Sequence, residues 1–335
     1  MSKMSDKLVL RRRPRRLRAT DGIRRLIEEH LVTVNDLVAP VFCKEDGTRE
    51  EIESMPGVFR YKPEDAARFC LELHEAGVPA VALFPCISEG KKDSEGSAAL
   101  DPNGLVPRVV REIKARAAGL LVIADVALDP YTSHGHDGVW NPETGEIEND
   151  VTVRLLCEMG RILGEAGVDF VAPSDMMDGR IGAIRASLDD ANLERVGLLA
   201  YAVKFASAFY GPFRDAIGSR KGKGYLDKRS YQLNPANLRE GLLEARLDEE
   251  EGADILMVKP AGPYLDVIAN VRARTLLPVA AYQVSGEYAQ IVAAARNGWL
   301  DLETAYRESL VAIKRAGADM IFTYFAPLFV KNGRQ

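Results

Sequence analysis

The stretch GADILMVKPAG, residues 252–262, sets a glycine, a run of buried-type residues from Ile255 to Val258, and a lysine, Lys259, in immediate succession. A glycine that closes a helix ahead of an apolar run marks a helix-to-strand junction, because the left-handed C-cap suits glycine. The same junction recurs at EAGVPAV, EAGVDFV and RAGADMI, around Gly77, Gly167 and Gly317. Working outward, candidate strands are LVAPVFC (37–43), AVALFPC (80–86), LLVIADV (120–126), DFVAPSD (169–175), VGLLAYAVKFA (196–206), ADILMVKP (253–260), PVAAYQV (278–284) and DMIFTYF (319–325). Most are continuous apolar runs, as expected of strands buried on both faces of a parallel sheet. Helical periods such as PEDAARFCLELHEAG, VTVRLLCEMGRILGEAG and LETAYRESLVAIKRAG separate them. Eight β/α units predict an α/β fold, a (β/α)8 TIM barrel over residues 35–335 behind a basic N-terminal arm, 1–34. A doubly wound open sheet is the alternative, but no G-x-G-x-x-G follows the first strand.

Composition agrees with a globular protein. The chain has 335 residues, 47% hydrophobic, and a formal net charge of −5, which argues against a general polyanion-binding surface. No apolar stretch has the length of a membrane span, and no hydrophobic signal core follows the basic N-terminus, so a cytoplasmic protein is expected. Cys43, Cys70, Cys86 and Cys157 are far apart, with neither disulfide nor zinc-knuckle spacing, and read as free thiols.

On such a barrel Lys259 falls at the C-terminal end of the sixth strand, the catalytic face. Lys204, in LAYAVKFASAFYGPFRD, falls at the corresponding end of the fifth. Adjacent strands lie ~4.8 Å apart, so two lysines at one height would share a substrate. Burial and like charge both lower a lysine pKa, and a neutral amine is what attacks a ketone to form a Schiff base. The competing reading pairs each lysine with an acidic neighbour.

The chain resembles the 5-aminolevulinate dehydratase (porphobilinogen synthase) family in MVKPAGPYLD (257–266), KFASAFYGPFRDA (204–216), YQVSGEYA (282–289), APSDMMDGRIGAIR (172–185) and YTSHGHDG (131–138). The resemblance covers nearly the whole chain. It implies condensation of two 5-aminolevulinate molecules to porphobilinogen with loss of two waters, in tetrapyrrole synthesis, without an organic cofactor. Both substrates are ketones, which accounts for two lysines. The resemblance assigns Lys259 to the substrate that becomes the propionate side and Lys204 to the acetate side. It also implies that Arg214, Lys228 and Gln232 bind the acetate-side carboxylate, that Ser285 and Tyr324 bind the propionate-side one, and that Asp125, Ser174, Tyr210, Phe213 and Tyr282 line the same mouth. Residues 207–231 are expected to form a lid that excludes water from the imines.

The departures from the family's zinc-dependent members matter equally. Those members place three cysteines after the third strand, where this chain reads DVALDPYTSHGHDG, with Ala127, Asp129 and Asp137 at the three positions. Alanine has no ligand atom and aspartate is a hard oxygen donor, so catalytic zinc is not expected and the chain resembles the aspartate-type class. His134 and His136 flank a glycine and read as structural. Glu244 falls where magnesium-stimulated members bind an allosteric ion, although some members of this class need no metal; the acidic loop of Asp129 and Asp137 is the other candidate. The arm RRRPRRLR, read alone, suggests a nucleic-acid tail; the resemblance instead implies a homo-octamer contact, with no nucleic-acid or membrane partner. Rival readings are a class I aldolase, which needs only one such lysine, and a barrel retained as a regulator or scaffold.

Overall fold

Gly77, Gly167, Gly252 and Gly317 all take left-handed backbone, with φ of 93°, 102°, 102° and 117°. Glycine enters that region without a side-chain clash, so each junction turns the chain from helix to strand. The computed structural model describes residues 10–219 and 227–333. Its barrel strands are β1 Leu37–Lys44, β2 Ala80–Cys86, β3 Leu121–Val126, β4 Phe170–Pro173, β5 Gly197–Lys204, β6 Ile255–Lys259, β7 Val279–Gln283 and β8 Met320–Thr323. The principal helices are α1 Pro63–Glu75, α2 Leu105–Arg116, α3 Asn149–Ala166, α4 Arg180–Asp190, α5 Leu238–Glu250, α6 Leu265–Arg272, α7 Ser285–Arg296, α8 Leu302–Ala316 and α9 Ala326–Lys331.

Successive strands pair in parallel, and β8 returns to pair with β1, Leu37 opposite Ile321 and Val38 opposite Phe322. Closure rules out the open doubly wound sheet. A short antiparallel pair, Glu50–Glu51 with Phe59–Tyr61, extends the sheet beside β1, and two helices rather than one connect β7 to β8.

Several strands are shorter than the apolar runs, for local reasons. β4 stops at Pro173, beyond which Asp175 accepts from the Met177 N–H at 2.8 Å and Met176 adopts φ 72°. β5 stops at Lys204 because the ladder ends there: Phe205 still donates to the Lys259 carbonyl of β6, but the next amide, that of Ala206, donates to Leu233 outside the barrel strands. β6 starts only at Ile255, since Asp254 uses its carboxylate to cap the Leu198 N–H at 2.7 Å.

One irregularity positions the site. Leu199 lies opposite Ile255 and Ala200 opposite Leu256, yet Val203 lies opposite Val258 and Lys204 opposite Lys259. Between those pairs β5 spends one residue more than β6, which is a β-bulge. Without it Lys259 would face Val203, and Lys204 would project to the other side of the sheet.

The N-terminal unit ends at Leu31. It contains a 3-10 turn, Pro14–Arg18, and a short helix, Asp21–Leu26, whose Thr20 side chain accepts from the Ile23 N–H; neither buries a residue. The first nine residues of the expected arm lie outside the described residues. No described helix is long and apolar enough to cross a membrane.

Candidate active site

Polar residues that the barrel buries gather past the C-terminal strand ends, among them Asp125, Asp129, Asp137, Ser174, Lys204, Lys228, Gln232, Lys259 and Ser285. This is the face on which such barrels place their chemistry. Lys204 and Lys259 end β5 and β6 in register, 6% and 5% exposed. Their surroundings differ.

The Lys259 ammonium stands among aromatic rings, with Nζ 4.5 Å from the Tyr282 ring centre, 4.9 Å from Tyr201, 5.0 Å from Phe213 and 5.3 Å from Tyr210. Phe84 packs edge-on to Phe213 and Phe42 lies against both, walling the box. Burial, and then the Lys204 charge, depress the Lys259 pKa to about 7 against the opposing pull of Asp125. The peptide from Lys259 to Pro260 is cis.

Lys204 is in polar company. Its ammonium donates to the Ser174 carbonyl and lies 3.6 Å from Asp137 Oδ2. Asp125, at the end of β3, is pushed up to about 7 by burial and then by the Asp129 charge, while Ser174 hydrogen-bonds to it. Its Oδ1 has no hydrogen-bond partner among the described residues. A carboxyl titrating near neutrality that interacts with the Lys259 amine, which does the same, is a natural proton carrier.

The other expected residues divide into groups. Tyr282 and Tyr324 share a hydroxyl–hydroxyl hydrogen bond of 2.9 Å, and Tyr324 stacks on Phe42. The Ser285 hydroxyl is fully buried and donates to the Phe209 carbonyl while accepting from the Phe213 N–H at 2.9 Å. Phe213 and Arg214 ride on a short helix, Gly211–Ala216. Lys228 lies between Asp129 and Asp137, at 3.1 and 2.9 Å. Burial opposes its charge, but the two carboxylates outweigh burial and raise its pKa. Burial likewise pushes Asp137 up, yet Lys204 and Lys228 hold it well below the usual carboxylate range. Gln232, one turn on, is buried. Part of the expected lid, residues 220–226, lies outside the described residues.

Glu244 is elsewhere, on α5. It lines a cavity of about 380 Å³ with Asp178, Glu240, Arg229 and Gln232, and burial, then Asp248, raises its carboxyl pKa. No cluster of three or more potential metal-ligating side chains occurs among the described residues. His136 stacks on Trp140 and bonds to the Tyr231 hydroxyl, and burial lowers its pKa to about 4, so it serves the packing of its loop.

The sequence reading missed Tyr201 in the lysine box. It precedes Lys204 by three residues, an odd spacing that regular alternation sends to the opposite face; only the bulge brings both rings and amines together.

Residues 11–332 match the family described as Delta-aminolevulinic acid dehydratase. The chain belongs to that family. A Delta-aminolevulinic acid dehydratase of Chlamydia pneumoniae is 51% identical over 325 residues, 97% of each chain. One from Bradyrhizobium diazoefficiens is also 51% identical, covering 96% of this chain and 91% of its own. The crystal structure of the Toxoplasma gondii ME49 enzyme, in complex with the reaction product porphobilinogen, superimposes with a TM-score of 0.95 at 45% identity, covering 97% of this chain and 92% of that one. Family membership accounts for the barrel and for the motifs around both lysines.

Proposed function

We propose that the chain is a porphobilinogen synthase, a lyase that condenses two 5-aminolevulinate molecules with loss of two waters, for tetrapyrrole synthesis. The observation that carries this is the in-register burial of Lys204 and Lys259 at the catalytic end of a barrel of this family. One ketone forms an imine with Lys259, whose aromatic surroundings keep the amine close to neutrality; the other forms one with Lys204. Each imine releases a water. Loss of a carbon-bound proton turns the Lys204 imine into an enamine, whose carbon attacks the Lys259 iminium carbon; loss of the second proton from that attacking carbon then expels Lys259 as the amine and leaves a carbon–carbon double bond. The first substrate's amine then attacks the Lys204 imine carbon, expelling the second lysine and closing the ring, and transfer of a proton from the ring CH2 to the ring nitrogen gives the pyrrole. Asp125 carries the proton.

Arg214, Lys228 and Gln232 are proposed for the acetate-side carboxylate, and Ser285 and Tyr324 for the propionate side, with Ser174, Tyr210, Phe213 and Tyr282 as walls. Lys228 has a second task, because its charge already holds Asp129 and Asp137 together.

Two metal questions follow from the donors. Asp129 and Asp137 are hard oxygen ligands with an ammonium between them, and Ala127 offers nothing, so the residues do not fit catalytic zinc and the aspartate-type assignment follows. Glu244 fits a hydrated magnesium ion, since Glu146, Asp178 and Glu240 line the same cavity and magnesium keeps most of its waters. Such an ion would supply allosteric charge on the outer helical ring. The exposed Leu10, Leu17, Leu26 and Ile27 of the arm support its use as a homo-octamer contact. Four unbridged cysteines suit a cytoplasmic enzyme.

The test is porphobilinogen formation from 5-aminolevulinate, with and without chelator and added magnesium. Product is expected in each case. No product under any condition would leave the aldolase or scaffold reading standing.

A further inference from the structure

We infer that Glu287 is a positioning residue, one carboxylate that holds the backbone leaving Lys259 and the backbone entering Ser285 in a fixed relation. The inference rests on the Schiff-base role proposed for Lys259. Glu287 stands in YQVSGEYA, the third residue of α7, and is 7% exposed. Its Oε2 accepts from the Val284 N–H at 2.8 Å and the Ala261 N–H at 3.3 Å, and its Oε1 accepts from the Gly262 N–H at 2.7 Å.

The bond to Val284 is an ordinary helix cap. The other two are not, because they cross from α7 to the loop that leaves β6, and no cap needs them. No ion pair to Glu287 occurs among the described residues, so backbone dipoles carry its charge. Burial holds its carboxyl up at about 7 even with three donors, the mark of a group whose placement costs stability and is kept for position. Gly262 matches the carboxylate: a Cβ there would lie 2.6 Å from Oε1, so only glycine lets the oxygen reach the amide.

The consequence is a two-sided grip on Lys259. Before the loop, its carbonyl accepts from the Phe205 N–H at 3.0 Å and the Tyr210 hydroxyl at 3.2 Å. After it, Ala261 and Gly262 are fixed by Glu287. On the other side Val284 precedes Ser285, whose hydroxyl accepts from Phe213, a wall of the lysine box. Loosening Glu287 therefore disturbs the Lys259 side of the site and spares Lys204, which is held by Ser174 and Asp137.

The experiment traps imines with borohydride and 4-oxopentanoate, the substrate without its amine, so that no pyrrole can close. Label at each lysine is quantified by peptide mass spectrometry on the full-length protein and on E287D, E287Q and G262A. E287D keeps a carboxylate for the helix cap but is a methylene too short for the loop; G262A breaks the same contact from the other side. Trapping at Lys259 is expected to slow about tenfold or more in all three, with trapping at Lys204 within about twofold of the parent and circular dichroism unchanged. Where a Glu287 variant does not fold, G262A decides. Lys259 trapping at the parent rate in G262A, or equal slowing at both lysines, overturns the clamp. A parent that traps nothing at Lys259 overturns the Schiff-base reading and the clamp with it.

Discussion

Lys204 and Lys259 are register partners on neighbouring strands, brought level by the extra residue that β5 holds between Ala200 and Val203. The pairing gives one lysine an aromatic box and the other a carbonyl and a carboxylate. Two amines of equal chemistry thereby acquire different electrostatics.

Imine formation at Lys259 needs the neutral amine, so its rate should rise as pH passes through about 7 and level off above. Lys204→Met removes a like charge that lowers this pKa, and the midpoint should move to higher pH by on the order of one unit. Asp125→Asn removes an opposing charge and should move it lower. Borohydride trapping at Lys259 across pH measures both, and a midpoint indifferent to Lys204 would refute the coupling.

Lys228→Met should leave Asp129 and Asp137 buried without their shared cation, at a cost of about 3–5 kcal/mol near neutral pH. The sign with pH is definite. Asp137 has a depressed folded pKa, so its stabilisation is present above its unfolded value of about 3.8 and is lost as pH falls through the folded one. In the variant the buried carboxylates protonate at higher pH than in the parent, so the deficit against the parent should shrink as pH falls from about 7 toward 4. Urea unfolding at pH 7 and pH 4 reads the difference.

Arg180 donates to Asp248 through both terminal nitrogens, 2.9 Å each, and to the Tyr201 carbonyl at 3.3 Å, tying α4 to α5 and to the bulge. Both side chains are 2% exposed. Asp248→Ala should strand the guanidinium and destabilise by about 3–5 kcal/mol. Denaturant unfolding checks this; a loss below about 1 kcal/mol would mean that Asp175, 3.8 Å from Arg180, takes over.

Chelators that strip zinc should leave basal turnover largely intact, because Ala127, Asp129 and Asp137 make no thiolate site. Any magnesium stimulation should vanish in Glu244→Ala while the magnesium-free rate stays near the parent's. Steady-state rates with and without magnesium decide it; stimulation that persists in the variant would shift the ion to the acidic loop.

Local order was legible in the sequence. Glycine at helix ends, apolar runs too continuous for a half-solvated sheet and helical periods between them depend on neighbours along the chain, and they predicted eight strands and a lysine at the end of the fifth and the sixth. The family motifs named candidate residues for the mouth by number. What the chain alone left open depended on which distant groups compete for one another once water is excluded. Lys228 meets Asp129 and Asp137 across 99 and 91 residues, and no spacing rule reports that its ammonium is already shared. Closure of β8 on β1 and the capture of Ser285 by the 209–213 backbone are of the same kind. The bulge is the sharpest case: a strand's side-chain period is two, so one additional residue reverses every later side chain, and that residue is specified by packing against β6 rather than by anything in AYAVK itself.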